Sequence, residues 1–197
     1  MRLDSRPTAR QRLCDELRAH ALVIGEVVLA SGRTSQYLID AKRAVLRPEG
    51  FAALAELVAE QVAAWNATAV GGMTMGADPI ACAALAGGAD VKAFFVRKEP
   101  KAHALGRRIE GPPLASDDRC LIVEDVVTTG GSTVRAIEAV RAEGHQICGV
   151  LAICDRLAGG AQAIERVARA PFAALTTIDE VYPDRPDREP AAPSATG

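Results

Sequence analysis

Apolar positions along the chain follow two alternating rhythms. Phe51, Leu54, Ala55, Val58, Val62 and Trp65 recur at steps of three and four after Pro48-Glu49-Gly50, which predicts a helix opening at that proline. Short unbroken apolar runs follow a different rule. "TAVGG" (68–72), "VKAFFV" (91–96), "RCLIVE" (119–124) and "ICGVLAIC" (147–154) predict strands. Further helices are predicted from Pro79 to Ala86, over 132–143 and over 160–169. Strands apolar on both faces and interleaved with helices predict an α/β fold, a central parallel sheet flanked by helices.

The segment before this alternation is different. "LRAHALVIGEVVLASGRTSQYLIDAK" (17–42) predicts a helix leading into two short strands joined by a Ser-Gly-Arg turn, a small N-terminal hood on the sheet's edge. The expected organisation is therefore helix and hood over 1–45, an α/β core over 46–182, and a tail over 183–197. That tail holds four prolines and few large apolar residues, which predicts disorder.

Composition narrows the class. A chain of 197 residues, 49% hydrophobic and 24% charged, reads as one globular domain with a small accessory piece. A net charge of −2 gives no electrostatic footprint for nucleic acid. No apolar run approaches the ~18 residues of a membrane span, and Met1 to His20 is too charged for a signal peptide. Five cysteines without a CxxC pair, mostly in apolar stretches, read as buried reduced thiols of a cytoplasmic protein.

One stretch carries chemistry. "CLIVEDVVTTGGST" (120–133) ends an apolar run in two acids and follows them with threonines, glycines and a serine. In an open parallel sheet, ligands bind beyond the carboxyl ends of the strands, where helix starts supply N–H groups for a phosphate. Two carboxylates beside a phosphate nest repel it unless something lies between, and a ribose does so: its hydroxyls donate to Glu124 and Asp125 while its 5′-phosphate sits on the loop. The plainer alternative is a helix capped by Ser132 or Thr133 with two solvated acids. No lysine follows the glycines as in a Walker A loop, and no GxGxxG follows a strand.

A second stretch, "VRKEPKAHALGRRIEG" (96–111), gathers Arg97, Lys98, Lys101, His103, Arg107 and Arg108 without an amphipathic period. A solvated surface loop is the usual fate of such a cluster. Its place after strand 91–96 aims these cations at the same sheet edge, where they would neutralise a departing diphosphate. The ordinary pKa of a histidine lies near neutral pH, so His103 could share a proton. Gly106 and Gly111 would let the loop open and close.

Residues 120–133 resemble the phosphoribosyl diphosphate (PRPP) signature of type I phosphoribosyltransferases. R-K-x-x-K-x-H with its basic stretch and "IEG" is similar to the catalytic loop of the orotate phosphoribosyltransferase family. "HALVIGEVVLASGRTSQYLIDAKRAVLRPEG" (20–50) and "CDRLAGGAQAIE" (154–165) extend the likeness to the hood and to an Asp-Arg…Gly-Gly segment. The resemblance implies a type I phosphoribosyltransferase fold and transfer of ribose 5-phosphate from PRPP to orotate, with Mg²⁺ as cofactor. It further implies that Arg97, Lys98, Lys101 and His103 contact the diphosphate, and that Glu124, Asp125, Val126, Val127, Thr128, Thr129, Gly130, Gly131 and Ser132 hold ribose and 5′-phosphate. Lys101, His103 and Asp125 would be catalytic, and Thr128 and Arg156 would hold orotate. No protein metal cluster is expected. In that family the loop reaches the neighbouring subunit's site, which implies a homodimer.

"GGMTMGADP" (71–79) corresponds to the family's diphosphate-binding turn. Many relatives carry a lysine there or just before the Ser-Gly-Arg turn, where this chain has Gly76 and Ala30; Leu38 and Ile39 replace aromatics that some relatives place near the base. A phosphoribosyltransferase for another base would keep 120–133 but need a different hood. A PRPP-sensing, nucleic-acid-binding regulator fits neither the charge nor the intact loop.

Overall fold

Helix α1 (Ala9–Glu16) opens on a reciprocal cap in the computed structural model, which describes residues 7–28, 34–99 and 107–188. The Gln11 N–H donates to the Thr8 hydroxyl at 3.2 Å, and the Thr8 N–H donates to the Gln11 side chain at 2.8 Å. The helix thus begins eight residues before Leu17, the expected start. Leu17–Ala21 forms instead a π-helical last turn leading into the hood. There β1 (Leu22–Val28) pairs antiparallel with β2 (Thr34–Ile39), and the turn expected between them lies outside the described residues.

A short α2 (Lys42–Val45) links the hood to α3 (Pro48–Trp65), which starts at the proline marked by the sequence and ends on left-handed Asn66. The alternation follows as β3 (Ala69–Met73), α4 (Asp78–Ala86), β4 (Lys92–Val96), β5 (Ile109–Glu110) and β6 (Arg119–Val127). It closes with α5 (Gly131–Ala142), β7 (Gln146–Asp155), α6 (Gly160–Ala168), β8 (Phe172–Thr177) and α7 (Ile178–Val181). The sheet order is β5-β4-β3-β6-β7-β8, parallel except for β5.

Period-two alternation explains the unbroken apolar strands. On β6, Leu121 and Val123 join the layer formed with α3 and α4, whereas Cys120 and Ile122 join the layer of α5 and α6. Leu151 and Ile153 against Val150 and Ala152 repeat the division on β7. From β3 the chain winds outward to β4, then crosses back to β6 and continues the other way. The reversal between β3 and β6 is the switch point where open α/β sheets bind ligands.

The opposite edge is held by polar contacts. Asp118 accepts hydrogen bonds from Lys92 Nζ (2.7 Å), Thr68 Oγ1 (2.8 Å) and the Ala115 N–H (2.6 Å), tying the starts of β3, β4 and β6. Burial raises the Asp118 pKa, but these donors outweigh it and hold the carboxyl below its usual range. Cys14, Cys120 and Cys154 are buried, and desolvation pushes Cys120 and Cys154 up to about 12, inert as nucleophiles. Cys82 departs from the expectation: it lies exposed on α4.

Candidate active site

Strand β6 runs on to Val127, beyond the expected end at Glu124, so Asp125 is a strand residue as well. Alternation sends them different ways. Glu124 continues the Ile122 face and is 4% exposed; its Oε2 accepts from Ser132 Oγ at 2.5 Å and Thr133 Oγ1 at 2.9 Å. Asp125 continues the Val123 face, accepts the Val126 N–H at 2.8 Å and lies 3.4 Å from Lys42 Nζ. Desolvation, with the neighbouring Asp125 charge adding to it, pushes Glu124 up to about 7 against the help of the two hydroxyls.

These contacts decide what the Thr/Gly loop does. Ser132 and Thr133 lie inside α5 and spend their hydroxyls on Glu124, so neither is the cap. The capping position is Gly130, left-handed at φ 80°, and no side chain caps the helix. A Cβ there would be strained and would stand 3.1 Å from the Gly160 carbonyl oxygen. The first-turn N–H groups of a twelve-residue helix are therefore presented at the switch point, an arrangement suited to phosphate.

Strands β6 and β7 stay in register to Val127 and Asp155, and the Arg156 N–H donates to the Val127 carbonyl at 2.9 Å. Thr128 and Arg156 consequently leave adjacent strands side by side. The Arg156 guanidinium lies over the Tyr37 ring, 4.7 Å from its centroid, which brings the hood onto the strand tips. The expected tail also returns here: described residues continue past 182, and Tyr37 Oη donates to both Asp187 oxygens at 3.1 Å.

Of the cationic loop, the structure describes the base. The Arg97 N–H donates to the Arg108 carbonyl at 2.8 Å, Arg108 Nε to the Arg97 carbonyl at 3.0 Å, and Arg108 Nη2 to the Lys98 carbonyl at 3.0 Å. These bonds extend the β4–β5 hairpin from the carboxyl end of β4, the edge shared with the tips of β3 and β6. Lys101 and His103 lie outside the described residues.

A family model of the phosphoribosyl transferase domain matches residues 43–168. An orotate phosphoribosyltransferase of Corynebacterium glutamicum (strain R) is 41% identical over 174 residues, 88% of this chain and 94% of its own. One from Rhodopirellula baltica is 45% identical over 173 residues, 82% of this chain and 88% of its own. The crystal structure of Mycobacterium tuberculosis orotate phosphoribosyltransferase in complex with PRPP superimposes with a TM-score of 0.75 at 34% identity, covering 88% of this chain and 98% of that one. The chain belongs to the orotate phosphoribosyltransferase family.

Gly76, a position where relatives were expected to carry lysine, sits close against the acidic tip. A Cβ at 76 would stand 2.7 Å from the Asp125 carboxyl carbon, so the turn after β3 packs directly on the acidic tip. Ala30 lies outside the described residues. A cation nevertheless stands at this spot: Lys42 Nζ is 2.8 Å from Asp40 Oδ1 as well as 3.4 Å from Asp125. Burial lowers the Lys42 pKa, but Asp40 and Asp125 outweigh it and leave the ammonium above its ordinary value. Sequence reasoning missed Lys42, Tyr37 and Asp187. The alternation of "QYLID" marks Tyr37 as inward-facing with Ile39, but nothing local to "DAKR" says that its lysine reaches a strand tip 83 residues away.

Proposed function

We propose that the protein transfers ribose 5-phosphate from PRPP to N1 of orotate, giving orotidine 5′-phosphate and diphosphate, a step in pyrimidine nucleotide synthesis. One observation carries the reading: an uncapped helix start and the Asp125 carboxylate share the switch point with Arg156, which leaves the next strand beside Thr128. A phosphate donor and an anionic planar acceptor can thereby be held side by side.

In this reading the N–H groups from Thr128 to Ser132 and the Thr128 and Thr129 hydroxyls receive the 5′-phosphate, with Val126 and Val127 contributing backbone. Asp125 faces the sugar as positive charge develops at its reacting carbon, while Glu124, expected to hold a ribose hydroxyl as well, is turned under the loop onto Ser132 and Thr133 and stiffens it from beneath. Arg97, Lys98, Lys101 and His103 neutralise the departing diphosphate. Arg156 gives orotate a planar fork, with Thr128 beside it. Orotate is already acidic, so the protein chiefly positions reactants and balances charge.

Asp125, half-buried and hard, suits Mg²⁺ held mostly by substrate oxygens and water, since no group of three or more metal-ligating side chains occurs among the described residues. When bound, that ion supplies further charge neutralisation on the diphosphate. The working unit is a homodimer sharing the 97–111 loop across subunits, and we place it in the cytoplasm. No helix among the described residues is long and apolar enough to cross a membrane.

The test is an acceptor panel of orotate, uracil, adenine and xanthine with PRPP and Mg²⁺. Orotate alone should be consumed; turnover of another base in its place would overturn the assignment.

A further inference from the structure

We propose that the Asp187 carboxylate occupies the subsite that Arg156 and Tyr37 offer to the acceptor's carboxylate, so that the C-terminal segment competes with orotate and sets its apparent affinity. This rests on the acceptor reading of Arg156.

Three groups converge on Asp187. Tyr37 is 2% exposed, yet its hydroxyl donates to both carboxylate oxygens at 3.1 Å. Arg156, its side chain 12% exposed, brings Nη2 to 3.9 Å from Oδ2. Arg185 Nε lies 3.2 Å from Oδ1 and its Nη1 pairs with Asp179, which pins the segment over α7. Around this contact lies an open pocket of ≈ 480 Å³ lined in part by Leu157, Ala158 and Arg188.

A buried hydroxyl and a nearly buried guanidinium thus present a carboxylate site, and an exposed segment of the same chain supplies the carboxylate. The fit is loose. At 3.9 Å, Arg156 holds Asp187 by charge without a hydrogen bond, so an anion placed to bond the guanidinium directly can displace it. Asp187 itself is 56% exposed, and ion pairs at such exposure are weak, so the segment can leave. Two carboxylates side by side against one guanidinium repel, so Asp187 and the acceptor's carboxylate exclude each other. Acceptor affinity is then reduced by the fraction of molecules whose subsite is free. The rival role is positioning: Asp187 would hold Arg156 in its productive place, and its loss would weaken the acceptor.

Opposite signs separate the two. In the full chain, Asp187→Ala and Asp187→Asn should each lower KM for orotate by about three- to ten-fold, with the gain confined to orotate and KM for PRPP unmoved. Orotidine 5′-phosphate carries the same carboxylate, so its calorimetric Kd should tighten in parallel. Unchanged or higher KM and Kd in both variants, with wild-type thermal unfolding retained, would overturn competition. A wild-type protein that neither turns over orotate nor binds orotidine 5′-phosphate would instead overturn the acceptor reading, and this inference with it.

Discussion

Glu124 and Asp125 are adjacent in sequence, yet strand geometry gives them different partners. Glu124 is buried beneath the loop and pushed up to about 7, above the usual 4.5. A carboxyl whose folded pKa is raised contributes stability that is full below its unfolded value and lost as pH rises through the folded one. Relative to Glu124→Gln, the wild-type protein should therefore lose stability between about pH 4.5 and pH 7, read from urea unfolding across that range. A constant difference between the two proteins would mean that Glu124 stays ionised. Lys42 acts from the other side of the tip. Replacing it with Met keeps the stem but removes the cation beside Asp125, and KM for PRPP should rise about ten-fold, the loss of one charge-assisted contact. An unchanged KM would remove Lys42 from the donor site.

At the level of elements, the Asp118 cluster locks three strand starts at the edge away from the ligand site. Asp118→Asn should destabilise the protein by about 1–3 kcal/mol while leaving both substrate KM values alone. Because its pKa is depressed, the contribution is present above pH 3.8 and lost as pH falls through the lower folded value. The elements that long apolar rhythms announce, α3, β3, α4, β4, β6, α5, β7 and α6, were legible within a few residues. Those that depend on neighbours were not. Strand β8 is a short edge run, Phe172–Thr177, ending in two threonines, and β5 is two residues that exist only by pairing with β4. The start of α1 is written in Thr8 and Gln11, a capping box whose signal is weak because few large apolar residues follow it. The site divides the same way. Its contiguous part, 124–133, could be read from residue types, whereas Lys42, Tyr37 and Asp187 reach it only through the fold.

For the whole molecule, the hood closes over the strand tips from one side while the β4–β5 hairpin carries the cationic loop at the same edge. If that loop serves a neighbouring subunit, a mixture of Lys101→Ala and Arg156→Ala protomers should recover activity that neither variant has alone. One site of each heterodimer would be intact in both loop and acceptor arginine. No recovery in verified heterodimers would make each site self-contained. Where the sugar phosphate sits decides the roles of all these residues, and a crystal soaked with PRPP and Mg²⁺ tests that most directly. The 5′-phosphate should lie on the N–H groups at the start of α5 with the ribose against Asp125; a phosphate bound elsewhere, leaving the α5 start facing solvent, would contradict it.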